Sequence, residues 1–334
     1  MTVATDIFDR QLRDLRISVT DRCNFRCTYC MPKEVFGPGY EFLPRDQLLT
    51  FEEISSVVRH FVERGVKKVR ITGGEPLLRK NIEDLIGLIS QDSGVDDLTL
   101  TTNASLLARK AEGLVAAGLD RVTVSLDAMD DETFQKMNDV GFPVSTVLAA
   151  IEVAAGVGLG PVKVNAVIKR GVNEHAVLDM ARHFRGTGHI VRFIEYMDVG
   201  NSNGWRLDDV VPADEMLETI HGAFPLEPIT PNYPGEVANR FRYLDGEGEV
   251  GVISSVTKPF CGSCTRARVS AEGSLYTCLF ASAGTSLRDV IRSGGDLGAT
   301  LDEVWAKRDD RYSEIRSSNT ARLSVPVEMS YIGG

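Results

Sequence analysis

Short apolar runs, some alternating with polar residues and some rich in β-branched side chains, recur through the first two thirds of the chain. They predict strands at "LRISVT" (15–20), "KKVRITG" (67–73), "DLTLTTN" (97–103), "RVTVSLD" (121–127), "VKVNAVI" (162–168) and "IVRFIEYM" (190–197). Windows of helical spacing lie between them, the clearest being "TFEEISSVVRHFVERG". There Ile54, Val57, Val58, Phe61 and Val62 repeat at helical intervals, and Thr50 with Glu53 carries a capping-box signature. Strands alternating with helices call for parallel strands joined by right-handed crossovers. The two solutions are an open doubly wound sheet and a full or partial barrel, and in both ligands collect at the carboxyl ends of the strands. The unusual residues fall at those ends. Three cysteines follow the first strand, "GGEP" (73–76) follows the second, "TTN" (101–103) ends the third and "SLD" (125–127) ends the fourth.

After about residue 200 the pattern changes. A Gly/Asn-rich loop, "DVGNSNGW", leads to a helical window at "PADEMLETIHGAF" and then to hairpin-like segments with turn signals at "DGEGE" and "AEGS". Two helical windows near 286–293 and 301–308 precede a tail ending "SYIGG". Apart from the alternation of strands and helices there is no internal repeat. The change of texture divides the chain into expected domains at 1–205 and 206–334, in keeping with a length of 334 residues.

Composition is that of an ordinary globular chain, 43% apolar and 25% charged. A formal net charge of -10 sets the overall field against nucleic acid and anionic lipid, so a polyanionic substrate requires a local basic pocket. There is no apolar stretch of membrane-spanning length and no export-signal pattern at "MTVATDIFDRQLRDLR". The expectation is a cytoplasmic protein without nucleic-acid or membrane partners.

The six cysteines form two triplets, Cys23/Cys27/Cys30 and Cys261/Cys264/Cys278. With no export signal, metal is the better reading than disulfides. Structural zinc wants four ligands, and none of His60, His175, His183, His189 and His221 lies near a triplet in sequence. A zinc-stabilised binding module would need an Asp or a distant His to complete each site. A four-iron cube held by three cysteines instead keeps one iron free for another ligand, and the Cys-x3-Cys-x2-Cys spacing differs from that of closed ferredoxin clusters. Both readings stand on the residues alone.

"CNFRCTYC", with Tyr29 before the last cysteine, resembles the cluster loop of the radical S-adenosylmethionine superfamily. The resemblance implies an α/β fold: a partial TIM-type barrel of about six parallel βα units, closed by a smaller hairpin-rich C-terminal α+β domain. It also implies S-adenosylmethionine on the open iron and its one-electron cleavage to a 5′-deoxyadenosyl radical. "GGEP" resembles the superfamily's methionine-binding loop, with Gly74 the expected contact, and Tyr29, Ser125 and Met197 match cofactor-contacting positions. "RFIEYMDVGNSNGW", "KPFCGSCTRARVSAEGSLYTCLF" and "MSYIGG" are similar to the GTP 3′,8-cyclase family, which opens molybdenum cofactor biosynthesis. By that resemblance the second triplet also holds a four-iron cluster, its open iron binding guanine. One departure is Ala104, where relatives are expected to carry Gly after "TTN". Another radical enzyme with an auxiliary cluster, acting on a peptide, is the nearest alternative, although such enzymes usually carry more cysteines in the second domain.

The triphosphate needs cations, since no Gly-x4-Gly-Lys-Ser/Thr loop is present. Lys68 and Arg70 share one strand face, and so do Arg266 and Arg268. On strands covered on both sides such charges demand a partner. The resemblance adds Arg16, Thr101, Lys163, Arg192 and Ala267 to the nucleotide site. It also implies that Gly333 and Gly334 reach back into the active site to support catalysis. Analogy suggests a flavodoxin or ferredoxin reductant, and a homodimer is possible.

Overall fold

The computed structural model describes residues 3–92, 94–316 and 326–333. The first part contains β1 (Asp14–Ser18), α1 (Phe51–Glu63), β2 (Lys68–Thr72), α2 (Ile82–Asp92), β3 (Asp97–Thr102), α3 (Leu107–Ala116), β4 (Arg121–Ser125), α4 (Asp131–Asn138), α5 (Val144–Gly156), β5 (Lys163–Ile168), α6 (Ala176–Phe184) and β6 (Ile190–Glu195). The later part adds α7 (Ala213–Ala223), β7 (Leu226–Ile229), β8 (Asn239–Tyr243), β9 (Glu249–Ile253), β10 (Arg266–Val269), β11 (Ser274–Tyr276) and β12 (Thr285–Ser286). It closes with α8 (Leu287–Arg292), α9 (Leu297–Ala306), α10 (Tyr312–Ile315) and α11 (Met329–Ile332). The expected cap on α1 forms in full: Thr50 accepts from the Glu53 amide, and Glu53 accepts from the Thr50 amide at 2.8 Å.

β1 to β6 pair in sequence order and in parallel, the α/β partial-barrel arrangement. The later strands continue the same sheet at both edges. β10 lies parallel to β1 with Arg268 opposite Arg16, and β9 lies parallel to β6 with Gly251 opposite Arg192. Antiparallel β11–β12 and β8–β7 extend the sheet outward from them, giving twelve strands in one sheet among the described residues.

The period of two along each strand separates two environments. Leu15, Ile17, Val69, Ile71, Leu100 and Val124 join Val57, Phe61, Ile86 and Leu114 of the covering helices in one buried apolar cluster. The opposite face carries Arg16, Arg70, Thr101, Thr123 and Arg192, whose registers line up across neighbouring strands. In a closed eight-stranded barrel this interior is filled by branched apolar side chains. Here it is cationic and hydroxylic, and it remains open. Among the described residues no helix is long and apolar enough to cross a membrane.

Candidate active site

The first cysteine loop leaves the end of β1 and is shaped by backbone contacts. Cys27 O accepts from the amides of Cys30 (2.9 Å) and Met31 (2.8 Å), and Arg26 Nη1 donates to Cys23 O at 2.8 Å. The "GGEP" loop packs directly on it. Gly74 N donates to Thr20 O and Glu75 N to Arg22 O, both at 2.8 Å. A Cβ at Gly74 would stand 2.3 Å from Arg22 O, and one at Gly73 (φ +149°) 2.5 Å from Thr20 O. These glycines therefore serve close approach between two loops, not only approach to a ligand.

Glu75 ties the same loop to β3. Its carboxylate accepts from Thr102 Oγ1 (2.8 Å) and Asn103 N (2.7 Å), and burial pushes its pKa up to about 7. Asn103 Nδ2 lies 3.8 Å from Cys23 Sγ. Tyr29 donates to Asp127 Oδ2 at 2.9 Å, which holds the ring against the end of β4. Burial, reinforced by Glu75, raises the Cys23 thiol to about 12, and Cys27 and Cys30 are likewise pushed up by burial.

One cavity of about 320 Å3 is lined by all six cysteines, together with Gly74, Ser125 and Met197. Its volume is within the range of small-molecule sites, roughly 300–1,000 Å3. Arg16, Lys68, Arg70, Thr101, Arg192, Arg266 and Arg268 line it too. Lys163 does not, although its charge acts on the same cluster of cations. Ala267 points the other way, its side chain packed in the apolar layer with Leu15, because it alternates with Arg266 and Arg268 on β10.

The cations crowd one another. Burial and then Arg268, Arg70 and Arg266 hold Arg16 well below the usual guanidinium range. Burial and Arg70 bring Arg192 down to about 9, while burial and Arg192 bring Lys163 to about 7. Some of these groups already have partners. Arg70 Nη1 donates to Thr101 Oγ1 (2.8 Å) and Thr123 Oγ1 (3.0 Å), Arg192 Nε to Asn165 Oδ1 (2.9 Å), and Lys68 Nζ lies 3.0 Å from Asp97 Oδ2. Thr101 thus orients Arg70. Arg266 Nη1 and Arg268 Nε, both buried, have no hydrogen-bond partner among the described residues. Unpaired buried donors facing an open cavity fit an anionic ligand.

The second triplet enters from the C-terminal part. Cys261 and Cys264 flank a single 3-10 turn before β10, and Cys278 follows β11. Burial opposes ionisation of Cys264, but Arg266, Arg308 and Arg268 outweigh it and hold the thiol at about 6; Arg266 Nη2 lies 3.3 Å from its sulfur. All six cysteines are free thiols. Among the described residues no three Cys, His, Asp or Glu side chains converge on one ion-sized point. A four-iron cube is instead gripped by separate thiolates at separate corners, and paired triplets facing a shared cavity fit two such cubes.

The tail returns to the strand ends. Gly333 is buried with φ +75°, and a Cβ there would stand 2.4 Å from Thr72 Cγ2 at the end of β2. Gly334 lies outside the described residues. Asp14, Asp127, Glu75, Tyr233 and Glu236 also line the cavity but were not singled out from the sequence. Asp127 and Glu75 sit inside the motifs already noted, so their buried position at strand ends was the available signal. Tyr233 and Glu236 come from an irregular loop with no period to read, and Tyr233 reaches Lys68, whose Nζ stands 5.2 Å from its ring centroid.

Residues 17–184 match the Radical SAM superfamily model and residues 189–314 the model described as Molybdenum Cofactor Synthesis C. A curated GTP 3′,8-cyclase of Acidothermus cellulolyticus is 53% identical, with 98% of this chain and 98% of the relative aligned. GTP 3′,8-cyclases of Xanthomonas campestris pv. campestris (51%; 98% of this chain, 97% of the relative) and Staphylococcus epidermidis (47%; 99% of each) are similar over comparable spans. Among solved structures, Streptococcus suis SuiB bound to S-adenosylmethionine superposes with a TM-score of 0.63 at 14% identity, covering 88% of this chain and 69% of that one, a likeness of fold. On these grounds the chain belongs to the GTP 3′,8-cyclase family of the radical SAM superfamily.

Proposed function

We propose that the protein cyclises GTP to 3′,8-cyclo-7,8-dihydroguanosine 5′-triphosphate as a radical S-adenosylmethionine enzyme, at the first step of molybdenum cofactor biosynthesis. The observation that carries this reading is the single cavity in which both cysteine triplets face a ladder of buried arginines. Cys23, Cys27 and Cys30 would hold one four-iron cluster and Cys261, Cys264 and Cys278 the other. Gly74, Ser125, Met197 and Tyr29 would contact S-adenosylmethionine beside the first. When bound, cluster and S-adenosylmethionine together supply a carbon radical able to abstract hydrogen from ribose C3′.

The chain's own residues provide binding and orientation. Arg16, Arg70, Arg192, Arg266 and Arg268 would hold the triphosphate, with Lys68 and Lys163 adding charge, while Thr101 and Thr123 fix the Arg70 guanidinium. Burial and then neighbouring cations lower the pKa values of Arg16, Arg70, Arg192, Arg268, Lys68 and Lys163, and a bound polyanion relieves that repulsion, so part of the binding free energy comes from cations already confined together. Guanine would sit at the second triplet, so the nucleotide is held at both ends and C3′ can be kept within about 3–3.5 Å of the reacting carbon. Gly333, and Gly334 beyond it, would close the strand ends against water.

A flavodoxin- or ferredoxin-type donor in the cytoplasm, where thiols stay reduced, suits the six free cysteines; a homodimer is part of the same proposal. The direct test incubates anaerobically reconstituted, reduced protein with S-adenosylmethionine and GTP. Formation of 5′-deoxyadenosine with a cyclised nucleotide is expected, and 5′-deoxyadenosine without any change in GTP would overturn the substrate assignment.

A further inference from the structure

Beside the second triplet, and outside the residues that line the cavity, three buried charged residues come together from the two ends of the chain. Asp6 lies in the N-terminal segment, Arg10 just after it, and Arg308 after α9. Their side chains are 0–2% exposed. Asp6 Oδ2 accepts from Arg10 Nε at 2.6 Å and from Arg308 Nη1 at 2.9 Å, and Asp6 Oδ1 accepts from the amides of Phe8 and Arg10, each at 3.0 Å. One carboxylate thus orients two guanidinium groups.

Further donors of the two arginines go to carbonyls of the cysteine loops and to Asp310 O, while the buried Arg10 Nη2 has no hydrogen-bond partner among the described residues. Arg10 Nη1 donates to Cys261 O at 2.9 Å and to Asp310 O at 2.8 Å. Arg308 Nη1 donates to Cys264 O at 2.9 Å, and its Nε to Thr277 O, next to Cys278, at 3.1 Å. Trp305 backs the assembly: its indole donates to Arg10 O at 3.2 Å, and the Arg308 guanidinium lies 4.6 Å from its ring centroid. Every cysteine of the triplet therefore has its own carbonyl, or that of its neighbour, fixed by one of two arginines that share a carboxylate.

We infer that Asp6, Arg10 and Arg308 form a clamp that pre-shapes the Cys261/Cys264/Cys278 site for its cluster, acting as positioning residues and not as ligands. The inference deepens the functional reading and rests on its assignment of a cluster to this triplet. The physical need is clear from the loops. The turn bearing Cys261 and Cys264 is one 3-10 turn outside the sheet ladder, and Cys278 sits beyond the end of a three-residue strand. With only three protein bonds to the cluster, ordering such loops costs more per bond than in a four-cysteine site. Fixed guanidinium forks offset that cost before the metal arrives, because their planar donors are already aimed and their own charges are held by Asp6.

The test uses the full chain in two cysteine backgrounds. With Cys23, Cys27 and Cys30 changed to Ala, all cluster iron reports on the second triplet; with Cys261, Cys264 and Cys278 changed to Ala, it reports on the first. Asp6→Ala or Arg308→Met in the first background should weaken iron retention against a chelator by roughly 10–100-fold, the usual effect of losing an outer-shell partner. In the second background the same changes should leave iron and sulfide content unaltered. Equal losses in both backgrounds, or none in the first, would overturn the clamp.

Asp6→Asn, which keeps the volume and one acceptor oxygen, and Arg308→Lys, which keeps the charge without the fork, provide folded comparisons by circular dichroism. Each should fall between wild type and the harsher variant. An Arg308→Lys protein that retains iron as wild type does would count against the paired-donor geometry. If the unmodified chain loads both clusters yet leaves GTP unchanged while the iron losses are selective, the functional reading falls and the clamp stands. If it cyclises GTP and the losses are not selective, the clamp alone falls.

Discussion

Lys163 shows how one residue can set a pH dependence. Burial and Arg192 lower its pKa to about 7 in the ligand-free protein, and a bound polyanion raises it again. Binding therefore favours the protonated form, is fully supported below about pH 7, and weakens as pH rises through that value. Nucleotide affinity measured between pH 6 and 9 should fall by up to about ten-fold per proton-linked unit, and Lys163→Met should flatten that dependence. Cys264 stands apart in the same currency even within its own triplet, where burial and then Asp310 raise Cys278 to about 11. In metal-free protein at neutral pH, Cys264 near 6 is a thiolate while Cys23 near 12 is a neutral thiol, so mapped alkylation by iodoacetamide should label Cys264 before Cys23. Ala104 is a third case. It occupies the left-handed region at φ +64° and is 1% exposed. Relief of strain on Ala104→Gly, ~1–2 kcal/mol, is offset by ~0.5–1 kcal/mol of backbone entropy and ~0.8 kcal/mol of lost methyl burial. Thermal or denaturant unfolding should therefore show a change within about 1 kcal/mol.

At the scale of elements, legibility followed periodicity. All six barrel strands and the capped helix α1 stand within one or two residues of the positions predicted from alternation and helical spacing. Removing the α1 cap with Thr50→Ala should cost ~1 kcal/mol in equilibrium unfolding. The short edge strands β7 and β12, four and two residues long, carry too few alternations to be read. The "GGEP" loop was legible as a motif but not in its packing: the role of Gly73 and Gly74 in admitting the Thr20–Arg22 backbone depends on where another loop lies. Gly74→Ala should displace the first cysteine loop, because backbone 2.3 Å away cannot yield as a side chain can. Iron content at the first triplet, measured in the background without the second, should drop while the second triplet's iron persists.

For the molecule as a whole, the decisive fact is that the strands after residue 206 extend the barrel sheet at both of its edges. This brings β10 beside β1, so Arg266 and Arg268 fall in register with Lys68 and Arg70 across Asp14 and Arg16. At the other edge, where β9 joins β6, the buried Glu195 accepts from the amides of Ala213 (2.8 Å), Val256 (2.7 Å) and Thr257 (2.9 Å). The tail is docked by Glu328, which accepts from Asn201 N (3.2 Å) and Ser202 Oγ (3.0 Å) in the "DVGNSNGW" loop. Deleting Gly333 and Gly334 should abolish formation of the cyclised nucleotide while iron and sulfide stay at the unmodified level; undiminished turnover would remove the tail from the active site.

The amino-acid order by itself determined the parallel α/β class, the two cysteine triplets and the faces on which the strand charges lie, because periodicity and ligand spacing are local properties of a chain. Tertiary structure alone decided that both triplets open onto one cavity, and that Asp6, Arg10 and Arg308 meet beside Cys261 and Cys264. Those relations join segments as far apart as residues 6 and 308, and only the pairing of β10 with β1 and the packing of α9 bring them within hydrogen-bonding distance.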